Sequence, residues 1–172
     1  VPESNASIIK RLNGRQLRAV VNGLSEISRD ALANIYSDDQ EACTELRRID
    51  NTTAASLLKD LMPTLRVENL QLTDEDLRQV LLILDEYPEF KSCIQSALER
   101  RLLVSSIFDP NIMGPLLVFL FSIKWKFRVR TAKSGKVDFE FEASKNATPV
   151  SLLRSLLSRI PKFGGPSAQA AE

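Results

Sequence analysis

Residues 123–143 read IKWKFRVRTAKSGKVDFEFEA, and the alternation in this stretch carries most of the fold-class expectation. In its first arm Ile123, Trp125, Phe127 and Val129 alternate with Lys124, Lys126, Arg128 and Arg130, the period-2 signature of a half-buried strand. The second arm repeats the pattern with opposite charge: Val137, Phe139, Phe141 and Ala143 alternate with Asp138, Glu140 and Glu142. Lys133-Ser134-Gly135 between them supplies a loop whose glycine accepts positive φ. The pattern predicts a β-hairpin over 123–143, with Arg130 opposite Asp138, Arg128 opposite Glu140 and Lys126 opposite Glu142. Each such cross-strand pair contributes roughly 0.2–1 kcal/mol, which sets register more than stability.

Outward from the hairpin the sequence is helical. Asn13 with Gln16 three residues later, flanked by Leu12 and Leu17, reads as a capping box with a hydrophobic staple. It opens a helix over about 14–27 with Leu17, Val20, Val21, Leu24 and Ile27 on one face. Ser28 is expected to open a second stretch through Ile35 and Tyr36, resuming after Ser37-Asp38-Asp39 into Cys43, Leu46 and Ile49. Asn51 is the next expected cap, ahead of Ala54, Leu57, Leu58 and Leu61, and Pro63 interrupts that helix. Thr73 with Asp76, flanked by Leu72 and Leu77, repeats the cap-and-staple signature and begins the clearest helix, striped by Leu77, Val80, Leu81 and Leu84. Pro88 ends it and starts the next.

Leu102–Ile123 holds 22 residues with one charge, Asp109. Pro110, Gly114 and Pro115 divide it, leaving a run shorter than the roughly 20 apolar residues of a spanning helix, so core burial is expected, with membrane contact as the alternative. Trp125 between Lys124 and Lys126 is the feature that suits an interfacial anchor. Thr148-Pro149 opens a last amphipathic helix through Leu152, Leu153, Leu156, Leu157 and Ile160. That helix is expected to cover the hairpin, because two strands alone make at best a marginal sheet in water.

The expected class is therefore α+β, mainly α: a bundle of five or six short helices, a β-hairpin and a C-terminal amphipathic helix. The expected organisation is a flexible 1–6, a helical bundle over 7–105, a connector with hairpin and closing helix (149–160) over 106–160, and a disordered tail over 161–172. The 172 residues suffice for one domain with its own core.

The chain contains no histidine, so Ser-His-Asp and Cys-His constellations and most zinc sites are excluded. No Gly-rich phosphate loop occurs, and Cys43 and Cys93 have no metal or disulfide spacing, which makes a reducing, cytoplasmic compartment the default. Three Asn-x-Ser/Thr triplets, at Asn5, Asn51 and Asn146, sit where helices would start and read as caps. No enzyme activity, cofactor, metal or small-molecule substrate is expected.

Net charge is +1, yet it divides into +2 over residues 1–27, −8 over 28–90 and +7 over 91–172. Such asymmetry points to a protein partner or self-association through oppositely charged surfaces. The basic surface expected to bind is Lys124, Lys126, Arg128 and Arg130, and the acidic one is Asp74, Glu75 and Asp76. Nucleic-acid binding by the basic strand is the weaker alternative: Trp125 and Phe127 fall on the face opposite the charges, and Asp138, Glu140 and Glu142 enter the same patch. The expected function is a non-enzymatic interaction or adaptor module, with the hairpin edge available to a partner strand. In outline, the first hundred residues resemble small helical adaptor domains of the death-fold kind, including those that recruit effectors in bacterial conflict systems.

Overall fold

The computed structural model describes residues 1–35, 38, 40–47, 54, 56, 72–100, 116, 126–131, 137–142 and 148–164. Its helices are α1 (Asn5–Arg11), α2 (Gly14–Ile35), α3 (Gln40–Arg47), α4 (Asp74–Asp85), α5 (Pro88–Arg100) and α6 (Thr148–Arg159), and a 3-10 turn at Pro161–Gly164 follows α6.

Local chemistry accounts for the helix starts. The Ser4 hydroxyl accepts from the Ser7 amide at 3.2 Å and caps α1. Asn13 Oδ1 accepts from the Gln16 amide at 2.9 Å while Gln16 Oε1 accepts from the Asn13 amide at 3.0 Å, so the opening of α2 is a reciprocal capping box. Thr73 and Asp76 make the same exchange at the start of α4, at 3.2 and 2.8 Å. Ser28 does not open a new helix. Its hydroxyl donates to the Leu24 carbonyl one turn back, at 2.7 Å, and its side chain is buried, so α2 runs unbroken to Ile35.

The core lies where α1, α2, α4 and α5 meet. Ile9, Leu17, Val20, Val21, Leu24, Leu77, Val80, Leu81, Leu84, Ile94 and Ala97 are buried together, and α2 packs closely on both α4 and α5. Gly23 and Ala97 lie at the α2–α5 crossing, where small side chains let the two backbones approach. Ala54 and Leu116 belong to the same core; apart from Ala54 and the exposed Ser56, the expected 51–61 helix lies outside the described residues, as does the rest of Leu102–Ile123. No described helix is long and apolar enough to cross a membrane.

The expected α+β class is corrected. Apart from the pairing of Lys126–Thr131 with Val137–Glu142, the described body is 85% helical, with no strand or sheet in it. The backbones of Lys126–Thr131 and Val137–Glu142 do run antiparallel, Arg128 opposite Glu140 and Arg130 opposite Asp138, but this pair meets α3 rather than forming a layer of the domain. The reason is the placement of α6. Its apolar stripe, Leu152, Leu156 and Ile160, is buried in the helical core and the helix packs on α4, so it does not serve as the cover that a hairpin layer requires. The fold is mainly helical, and the edge-pairing role expected of the hairpin goes with the corrected class. The packed chain also extends past Pro161, where a tail was expected: Phe163 in the 3-10 turn is fully buried.

Candidate interaction surface

Asp74, Glu75 and Asp76 stand together on the first turn of α4, as helix-dipole complementarity favours. Each is engaged within the molecule. Asp74 Oδ1 accepts from Arg18 Nη1 at 2.7 Å, joining α4 to α2. Glu75 pairs with Arg78 and accepts from Gln79 Nε2 at 3.1 Å. Arg78 in turn donates from Nη2 to the Leu12 carbonyl at 2.8 Å, which holds the end of α1 against α4.

Asp76 Oδ2 accepts both from the Thr73 amide and from Lys162 Nζ, the latter at 2.6 Å. Partial burial alone would raise this carboxyl, but the hydrogen bonds from Lys162 and Thr73 outweigh it and hold the pKa below the ordinary 3.8. The bonds from Gln79 and Arg78 likewise keep Glu75 below its ordinary 4.5. The expected acidic surface is thus where the C-terminal turn docks.

The other end of α4 has a matching contact. Arg159 grips the Glu86 carboxylate with both terminal nitrogens, Nη2 to Oε2 at 3.1 Å, and that contact raises the Arg159 pKa. Past the Arg159–Glu86 pair along both elements, the Tyr87 hydroxyl lies 3.1 Å from Ser151 Oγ and 3.3 Å from Ser155 Oγ. An apolar centre made by Leu152, Leu156, Ile160 and Phe163 is therefore rimmed by polar contacts, the anatomy of an interface. Sequence reading assigned Arg159, Lys162 and Phe163 no role. The Lys/Arg bias at the end of α6 was visible, but its partners on α4 are 73 and 86 residues away.

The N-terminal arm and α5 enclose a groove of about 600 Å³. Asn5 builds one wall, donating from Nδ2 to Asp85 Oδ1 at 2.9 Å and to the Lys91 carbonyl at 3.3 Å. Ile8 and Leu98 contribute apolar surface, and Gln95 donates to Glu99 at 3.3 Å along the opposite wall. Its charged lining is Glu3, Asp85 and Glu99 against one cation, Lys91.

The basic residues expected to bind fall elsewhere. Lys124 lies outside the described residues; Lys126, Arg128 and Arg130 are in register with Glu142, Glu140 and Asp138. The acidic set is engaged by Arg18, Arg78, Gln79 and Lys162. No group of three or more Cys, Asp or Glu side chains among the described residues is placed to hold a metal ion. The chain matches no protein-family model, no curated protein and no solved structure, so the outline likeness to death-fold adaptors has no counterpart there.

Proposed function

We propose that the chain is a non-enzymatic protein-interaction module that takes a basic, extended segment of a partner protein in the groove between the N-terminal arm and α5. The observation supporting this reading is the lining itself. Three carboxylates and one ammonium line the groove beside the apolar Ile8 and Leu98; Glu3 already pairs with Arg11, Asp85 accepts from Asn5 and Glu99 from Gln95, and each carboxylate retains acceptor capacity for a lysine or arginine. A rim of this kind favours a cationic partner chiefly through encounter and orientation.

The test is fluorescence anisotropy with a labelled octa-arginine peptide titrated onto the full chain at low and moderate salt. Glu99→Lys is expected to weaken binding roughly three- to tenfold, the scale of reversing one exposed charge. Gln95→Trp, which fills the groove without changing charge, is expected to weaken it too. Glu26→Lys reverses an exposed acid on α2 away from the groove and serves as the control. Equal losses from Glu99→Lys and Glu26→Lys would show attraction to net charge alone and would sink the groove as a docking site.

A further inference from the structure

We infer that the groove beside α5 selects lysine over arginine, so that the basic segment it takes presents ammonium groups. This rests on the reading of the groove as a docking site and names the chemistry of what enters it. The selection follows from which carboxylate oxygens the protein already uses. Asp85 Oδ1 accepts from Asn5 Nδ2 at 2.9 Å, Glu99 Oε1 accepts from Gln95 Nε2 at 3.3 Å, and Glu3 Oε1 pairs with Arg11 Nη2. Each of the three lining carboxylates thus has one oxygen engaged within the chain and offers the other.

A guanidinium binds best as a fork, with two parallel N–H groups on the two oxygens of one carboxylate. At all three carboxylates such a fork must share an oxygen with a donor already in place or displace that donor. An ammonium carries no such requirement, because it is a compact charge whose three donors can take single oxygens from separate residues. Ile8 and Leu98 supply apolar lining for its four-carbon stem.

Two of the resident donors are held well enough to act as selectors. Asn5 Nδ2 is shared between Asp85 and the Lys91 carbonyl, which ties it to both α4 and α5. Gln95 and Glu99 are one turn apart on α5, the spacing at which helix geometry itself keeps two side chains together. The Arg11 and Glu3 side chains are 68% and 44% exposed, so that pair contributes least. Asn5 and Gln95 are therefore the specificity-determining residues.

Fluorescence anisotropy on the full chain, with labelled octa-lysine and octa-arginine at the same salt, reads the selection as a ratio of affinities. Octa-lysine is expected to bind roughly three- to tenfold more tightly. Gln95→Met keeps the length and helix preference of an exposed residue but removes its donor, freeing both oxygens of Glu99. It should tighten octa-arginine roughly threefold relative to octa-lysine and so bring the ratio towards one. Asn5→Ala frees Asp85 and should move the ratio the same way. Octa-arginine binding the wild type as tightly as octa-lysine, or more tightly, overturns the selection, and so does a ratio that neither variant shifts. If Glu99→Lys then weakens both peptides more than Glu26→Lys does, the groove stands as a docking site without selection; equal losses from those two variants overturn the docking site as well.

Discussion

The Asp74 carboxylate, on the first turn of α4, occupies the place where a β-carbon on Gly14 would have to go, on the first turn of α2. Two helix N-termini converge around one carboxylate, which also holds Arg18. At Gly23 the opposite holds: an added β-carbon would lie 3.8 Å from the Cα and Cβ of Ala97, an ordinary contact.

Replacing these two glycines should therefore give different results. Gly23→Ala is expected to stabilise the protein by about 0.5–1 kcal/mol, the helix-interior difference between the two residues. Gly14→Ala must displace the Asp74 carboxylate and break its contact with Arg18, which cancels that gain. Adding Asp74→Ala to Gly14→Ala should recover stability, with a coupling of about 0.5–1 kcal/mol in urea unfolding. Equal effects of the two single glycine changes would contradict the close approach.

Thr73→Ala should cost about 1 kcal/mol, and Asn13→Ala a similar amount, because each leaves helix N–H groups without their side-chain acceptor. Thr73→Ser keeps the acceptor and is expected to retain most of the stability. Urea midpoints at constant slope give the comparison.

Phe163 distinguishes a packed C-terminal turn from a tail. It is fully buried, so Phe163→Ala should destabilise by about 3–5 kcal/mol, whereas truncation of an unpacked residue would be neutral. A loss under about 1 kcal/mol in thermal or urea unfolding would remove the turn from the core.

The lowered carboxyls of Glu75 and Asp76 give the stability a sign with pH. In the unfolded chain they protonate near their ordinary 4.5 and 3.8, and in the folded chain only at lower pH. Between those values the unfolded state binds more protons, so the stability they contribute is complete above the ordinary range and is lost as pH falls through the folded values. Lys162→Ala should make the acid limb of the stability curve shallower and leave the Glu75 share in place. An unchanged acid limb would mean that Lys162 does not act on Asp76 in solution.

The caps at Asn13 and Thr73 could be read from spacing because both partners lie within four residues and one turn of backbone decides their geometry. Ser28 shows how far such reading reaches. A serine after an apolar run can cap a new helix or bond back into the old one, and the burial that selects the second comes from packing. The acidic triplet was legible as a cluster. That its members bind Arg18, Arg78 and Lys162, and so tie α2, α1 and the C-terminal turn to α4, was not. The groove beside α5 was equally invisible, since Asn5, Asp85 and Glu99 belong to no common motif.

By itself the sequence determined where α2, α4 and α5 begin, which faces of the helices are apolar, and that histidine chemistry is absent, because these depend on residue type and near neighbours. Only the tertiary structure decided what the last amphipathic helix covers. An apolar stripe with basic residues specifies a hydrophobic, acidic counterpart without saying which, and here α4 offers both the apolar surface and the carboxylates at its two ends.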